Sequence, residues 1–429
     1  MPKATLPRVH PALETFTVFL RLGLTSFGGP TAHVGIFRRE IVLRRRWMRE
    51  EEFADTAALC QFLPGPTSSQ LGFAIGLRRA GPSGGLAAWL GFTAPSALAL
   101  GIAGVALAGA GAIAGAGWLA GLRAFAVAVV ANALIGMVRT LAPTRMHVAL
   151  VAVLLAALLA AGAASLPAWM AAAAQPLAIG VGAACGAFAL GARAPAQEPA
   201  AADPDDTEAR ARAFHVPRAL SVLAAMGFLG SVALAMLAVG APPILQAAAA
   251  CTRAGALVFG GGHVVLPLVQ EPFAANGWLP AGTVLSAYAL AQAVPGPLFT
   301  MVAYLGAAMQ VQAGPIAAAA GAALLVAAIF LPGLLAVIAV LPAWHRLRAV
   351  PGMRAALAGA NCAVIAVLGA ALVRDVAPAG IRDAGSACIA GACMVLLAAP
   401  LGLRGGSGAG IPVLAIAAAA AAAGALILG

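Results

Sequence analysis

Apolar runs alternate with short polar breaks along almost the whole chain. They fall at 14–30, 54–77, 84–110, 117–138, 146–164 and 169–191, then at 218–240, 246–268, 283–308, 315–342, 355–373, 384–402 and 409–428. A polar stretch, 192–217, separates the two groups and carries Glu198, Asp203, Asp205, Asp206, Glu208, Arg210 and Arg212. Each run is long enough for a helix to cross about 30 Å of hydrocarbon, and strand-like alternation is missing. The pattern predicts an all-α polytopic membrane protein with about 12–13 hydrophobic segments. The first run is interrupted by Arg21 and closed by no Ala-x-Ala site, so it reads as a membrane segment and not a cleaved signal.

The second group repeats the first. Arg21 and Arg253 lie 232 residues apart, as do Phe27 and Phe259. Glu40 and Glu271 lie 231 apart, as do Trp47 and Trp278, Gln61 and Gln292, and Pro64-Gly65-Pro66 and Pro295-Gly296-Pro297. Arg, Glu, Trp and Gln are scarce in this chain, so their coincidence marks two homologous repeats. The expected organisation is a first repeat at 1–191, a linker at 192–217, an extra membrane segment at 218–245 and a second repeat at 246–429.

The repeats are expected to be inverted. The loop after the first motif carries Arg38, Arg39, Arg44, Arg45, Arg46 and Arg49, whereas 264–283 carries no Lys or Arg. The positive-inside bias then puts the two loops on opposite sides. An odd number of segments between the motifs produces this, and 218–240 supplies the parity. Arg346, Arg348 and Arg354 conflict with simple counting, which places them outside. Making 283–308 a re-entrant hairpin repairs that loop, yet doing so in both halves spoils the parity.

Composition strengthens the membrane reading. Apolar residues make up 62% of the 429 and charged residues 9%, against about 25% charged in an ordinary soluble domain. The net charge of +11 sits in loops, so it points to membrane orientation and not to a nucleic-acid partner. The six cysteines form no Cys-x-x-Cys or Cys/His cluster, so neither a metal nor another cofactor is expected. A Walker motif, a Gly-x-Ser-x-Gly elbow and His-Glu-x-x-His are all missing, which argues against an enzyme and against ATP-driven transport by this chain.

Six features carry candidate chemistry. Arg21 and Arg253 interrupt apolar segments, where an arginine costs upward of about 2.5 kcal/mol and usually faces the bundle interior or a water-filled cavity. A guanidinium there suits an oxyanion, although a structural arginine paired with a carbonyl fits as well. Phe27-Gly28-Gly29-Pro30 and Phe259-Gly260-Gly261-Gly262 let backbone N–H groups approach a ligand, or let helices pack closely. Pro64-Gly65-Pro66 and Pro295-Gly296-Pro297 break their helices, and a helix restarting at Thr67, Ser68 and Ser69 aims its positive end at the break. Paired breaks in two halves are the best sequence pointer to a transporter's binding site. Gln61 and Gln292 either donate to a ligand or tie the broken backbone together, and Gln70 is a further donor without a repeat equivalent. His33 and His263 are either proton carriers, anion donors or structural. Glu40 and Glu271 either couple proton movement or, for Glu40, salt-bridge the neighbouring arginines.

Phe27-Gly28-Gly29-Pro30-x-x-His33, the Trp47 region, Gln61-x-Leu63-Pro64-Gly65-Pro66-x-x-x-Gln70-Leu71 and their second copy resemble the chromate ion transporter family, in its long-chain two-domain form. The resemblance implies an inner-membrane protein that exports chromate, confers chromate resistance and meets sulfate as a competing oxyanion. The second half departs from the first, with Gly262 for Pro30 and Leu298-Phe299-Thr300-Met301 for Thr67-Ser68-Ser69-Gln70. The more polar first half is expected to hold the main site. Membrane lipid is the expected surrounding, and pairing of two copies stays open. A transporter of sulfate or another oxyanion, an anion channel, or a lipid enzyme using His33 and Glu40 are the alternatives.

Overall fold

A computed structural model describes residues 10–109, 117–164, 168–190, 216–259, 262–347, 350–398 and 410–428. Gly260, Gly261, Arg348 and nearly all of the 192–217 linker lie outside the described residues. Every regular element among the described residues is helical.

The first repeat opens with α1 (Pro11–Thr25), α2 (Gly29–Phe37), α3 (Glu50–Phe62) and α4 (Thr67–Gly109). α4 is broken at Ala80 and Gly81 into a short arm, 67–79, and a long arm, 82–109. α1 and α2 fold back on each other: Phe19 meets Phe37 with ring centroids 5.3 Å apart. α3 and the short arm do the same, with Arg78 donating to Thr56 at 3.3 Å. All four outer ends meet. Glu14, near the start of α1, accepts from Arg79 and, at 3.3 Å, from Arg45, while Arg38 pairs with Glu50 at the start of α3. Arg79 also stacks 4.0 Å over Trp47. Three glutamates fill the first turn of α3, where they suit the positive helix end. These segments are therefore two hairpins that enter and leave at one arginine-rich end.

The long arm is the first full crossing, and α5 (Gly117–Leu141), α6 (Arg145–Ala163) and α7 (Ala168–Cys185) follow. The extra helix is α8 (Arg218–Met236). The second repeat gives the matching hairpins α9 (Pro243–Leu257) with α10 (Val265–Ala275), and α11 (Ala281–Ala293) with α12 (Met301–Gln310). Then come α13 (Pro315–Val340), α14 (Pro351–Ala371), α15 (Ala384–Ala398) and α16 (Gly410–Ile427). Among the described residues, six helices are long and apolar enough to cross a membrane: α4, α5, α6, α8, α13 and α14. α7, α15 and α16 are shorter and pack beside them, α7 on α14 and both others on α5.

Equivalent helices run antiparallel. The long arm crosses its counterpart α13 with Gly101 at Ala322 and Trp89 at Phe330. The repeats are also interlaced. Gly121 of α5 packs on Ala420 of α16, and Gly359 of α14 packs on Gly182 of α7, so each repeat lends a helix to the other.

Four apolar runs thus do not cross: 14–30, 54–77, 246–268 and 283–308. Each belongs to a hairpin, because its helix stops at a glycine or Pro-Gly-Pro break and the chain turns back. Each half loses two crossings, and five remain between the motifs: the long arm, α5, α6, α7 together with its π-helical continuation to Leu190, and α8. The parity stays odd. The conflict over Arg346 and Arg354 disappears, because α13 ends at the arginine-rich end. There Trp344 donates to Asp55 of α3 at 3.1 Å and its ring meets Phe62.

Candidate functional site

The four breaks converge at the centre, and they bond to each other across the repeats. Gly65 N–H donates to the Val258 carbonyl at 2.7 Å, and Gly296 N–H donates to the Ser26 carbonyl at 2.9 Å. Ser26 and Val258 are repeat equivalents, as are Gly65 and Gly296. Each Pro-Gly-Pro tip is therefore held by the glycine-rich turn of the other repeat. Gly65 has φ 129° and Gly296 φ 117°, values that only glycine adopts without strain. The tips rest on the crossing helices: Gly65 on Gly333 of α13, Gly296 on Ser96 of the long arm.

A cavity of about 710 Å³ lies beside these tips. Gly28 and Pro30 line it from the start of α2, Thr67 from the start of the short arm, and Gly262 and His263 from the turn leading into α10. Three helix N-termini therefore face one space. Each carries the equivalent of about half a positive charge and leaves backbone N–H groups without helical partners. Gln61 of α3, Asn132 of α5 and Asn361 of α14 add side-chain donors, while the Thr140 hydroxyl donates to the Gly136 carbonyl of its own helix at 2.9 Å. No Asp, Glu, Lys or Arg lines the cavity among the described residues. It runs from the tips toward the arginine-rich end, where Thr140, Leu141 and Trp344 form its outer part.

The predicted site residues divide. Gly28, Pro30, Gln61, Gly262 and His263 line the cavity. Gly29 begins α2 just behind Gly28, and Phe27 is half-buried in the same turn. Pro64, Gly65, Pro66, Pro295, Gly296 and Pro297 form the tips. Gln70 is fully buried and ties the broken backbone together, donating to the Pro64 carbonyl at 2.8 Å and the Gly333 carbonyl at 3.1 Å. Gln292 stands behind His263, with its amide nitrogen 3.3 Å from Nδ1, and the Tyr288 hydroxyl lies 2.7 Å from the same atom.

His33 stands elsewhere. It is fully buried between the Phe37 and Phe92 rings, with Nε2 3.3 Å from the Ser26 carbonyl. Neither arginine lines the cavity. Arg21 is on the exposed face of α1, while Arg253 is half-buried and donates to the Ala235 carbonyl of α8. The reason is register: the inner face of α1 is taken by Val18, Phe19 and Leu22, which leaves Arg21 outward. Glu40 is salt-bridged to Arg45 at 2.7 Å and Arg44 at 3.0 Å. Burial opposes its charge, yet the hydrogen bonds from Arg45 and Arg44 hold the carboxyl below its ordinary value. Glu271 lines a separate, smaller cavity.

Asn132 and Asn361 escaped the reading of the motifs. They are two of the chain's three asparagines and sit within long apolar helices. Their signal was a further repeat, Gly121-Leu122-Arg123-Ala124 against Gly352-Met353-Arg354-Ala355 at a spacing of 231. The asparagines themselves are 229 apart, so a fixed register hides them.

The family described as Chromate transporter matches residues 13–187 and 245–425. A chromate transport protein of Pseudomonas aeruginosa is 29% identical over 344 residues, covering 77% of this chain and 73% of that protein. A probable chromate transport protein of Synechococcus elongatus is 41% identical over 97 residues, 22% of this chain and 25% of its own. A chromate transport protein of Cupriavidus metallidurans is 38% identical over 74 residues, 16% and 18% of the two chains. No solved structure matches.

Proposed function

Because the chain belongs to the chromate transporter family, we propose that it exports chromate across the bacterial inner membrane through the central cavity and so confers chromate resistance. The observation that carries this reading is the convergence of three helix N-termini and the carboxamides of Gln61, Asn132 and Asn361 on one space that no acidic side chain among the described residues lines. That donor set suits a tetrahedral dianion. Hydrogen bonds to a charged group are worth about 1.5–3 kcal/mol each, enough to replace much of the hydration shell. Fixed dipoles in place of formal charges also let the dianion leave. Sulfate has the same charge and shape and competes for the same donors.

The positive-inside bias makes the arginine-rich end cytoplasmic. The cavity then faces the cytoplasm, in the state that loads chromate for export. The inverted, interlaced repeats supply the opposite state if the hairpins of one repeat shift against those of the other. An inside-negative potential favours expulsion of a dianion by about twice 2.3 kcal/mol per 100 mV, so potential can drive the cycle.

Uptake of labelled chromate into everted membrane vesicles tests the reading. An imposed lumen-positive potential should drive saturable accumulation that excess sulfate reduces. Flux no greater than in vesicles lacking the protein would overturn it, and steady single-channel currents in a bilayer would replace the carrier by a channel.

A further inference from the structure

The chromate path leaves one pair of carboxylates unused. Glu271 of α10 and Asp375, in the π-helical turn that extends α14, line a cavity of about 140 Å³ with Gln175 of α7 and Arg374. Gly162 of α6 forms part of its wall. Arg374 lies against it so closely that any side chain there would collide with the guanidinium. The charges acting on Glu271 are Asp375, Arg374 and Arg253 of α9. From α6 and α7 no titratable group lines the cavity among the described residues.

Glu271 is the repeat equivalent of Glu40, and their surroundings are opposite. Glu40 is answered by two guanidiniums at hydrogen-bond distance. Glu271 shares the guanidinium lining its cavity with a second carboxylate. Two carboxylates in one small space repel each other; Arg374 and Arg253 oppose that repulsion in part, and a proton taken up there belongs to the pair.

Both carboxylates stand on elements that also touch the chromate cavity. α10 is entered from Gly262 and His263, and α14 carries Asn361. Glu271 follows Gly262 by nine residues and Asp375 follows Asn361 by fourteen. Those spacings correspond to roughly 13 and 20 Å along a helix. A change in charge between Glu271 and Asp375 alters the contact of α10 with α14, and that contact positions donors at the other cavity.

We propose that Glu271 and Asp375 form a proton-binding site that couples proton entry to export of the dianion. It rests on the chromate-export reading. A proton adds to a carboxylate oxygen from the outer face and leaves toward the cytoplasm after the carrier reorients. One O–H bond forms and the same bond breaks, and nothing is oxidised or reduced. The salt-bridged Glu40 takes no part, so coupling lies in the second repeat alone.

Everted vesicles test this with the potential clamped at zero and both sides alkaline enough that chromate stays a dianion. A lumen less alkaline than the outside should speed chromate uptake several-fold, and a lumenal pH dye should report alkalinisation as chromate enters. Glu271→Gln and Asp375→Asn should each lose that response while keeping potential-driven uptake, and Glu40→Gln should keep both. A wild-type flux indifferent to the pH gradient, or variants that respond as the wild type does, would overturn the proposal. Should one variant fail to reach the membrane, the other and the wild-type dye signal still decide. Wild-type protein that moves no chromate even under an imposed potential would instead remove the export reading, and this proposal with it.

Discussion

The first repeat seals its histidine into the core, whereas the second turns its histidine toward the cavity. His33 follows Phe27 by six residues and His263 follows Phe259 by four. His33 lies within α2, whereas His263 lies in the 3-10 turn ahead of α10, so the same residue type stands on different local geometry and faces a different way. The tips differ too. Gln70 braces the first, while its equivalent Met301 is an apolar core residue and the second tip rests against Ser96. Thr67 lines the cavity, whereas its counterpart Leu298 is buried. Repetition marks where a residue sits along the chain. Local register decides what it faces, and the two halves use one plan for unequal tasks.

The sharpest break in that comparison lies at the tips. Gly65→Ala and Gly296→Ala should both abolish most folded protein, since each adds a Cβ at a backbone conformation reserved for glycine. They should differ in rescue. A Cβ on Gly296 would meet the Ser96 hydroxyl at 2.6 Å, while one on Gly65 would meet both the Gln70 amide nitrogen at 2.7 Å and the Gly333 Cα at 3.0 Å. Ser96→Gly should therefore recover part of the Gly296→Ala protein, measured as monodisperse membrane-extracted material, whereas trimming Gln70 should recover less of Gly65→Ala, because the Gly333 backbone contact stays and the tip loses its Gln70 brace.

Next in size are the asparagines. Asn132→Leu and Asn361→Leu should each weaken apparent chromate affinity about 10- to 100-fold, the loss of one hydrogen bond to a charged ligand. Abundance should stay near normal. Equal losses in a flux titration would mean that both repeats hold the dianion, and a loss confined to Asn132 would assign it to the first.

The histidines should separate by readout. His263→Gln should lower flux per inserted molecule with little change in thermal stability. His33→Gln should lower stability by about 1–3 kcal/mol, through a buried polar group left without its partner, and spare flux per surviving molecule. A thermal shift on extracted protein beside vesicle transport distinguishes them.

The smallest effects belong to the arginines. Arg21→Gln should leave flux within about two-fold, since an exposed side chain outside the cavity contributes little. Arg253→Gln should cost about 1–3 kcal/mol of stability by releasing the Ala235 carbonyl. A steep loss of flux in stable Arg21→Gln protein would return the arginines to the chromate path.

Much of this architecture is legible in the residues alone. The apolar runs require a helical membrane protein, the rare Arg, Glu, Trp and Gln coincidences reveal the repeats, and the arginine asymmetry of the loops points to inversion. Pro-Gly-Pro states that a helix must stop, because two prolines remove donors and clash with a continuing turn. It says nothing about the direction in which the next helix leaves. That direction is decided by contacts between residues far apart in the chain. Gly65 bonds to Val258 and Gly296 to Ser26, while Glu14 draws Arg45 and Arg79 to one end. Whether an arginine, a histidine or a glutamate faces ligand, core or lipid is settled in the same way. A side chain's surroundings come from the helices packed against it, and only the closed tertiary structure brings those helices together.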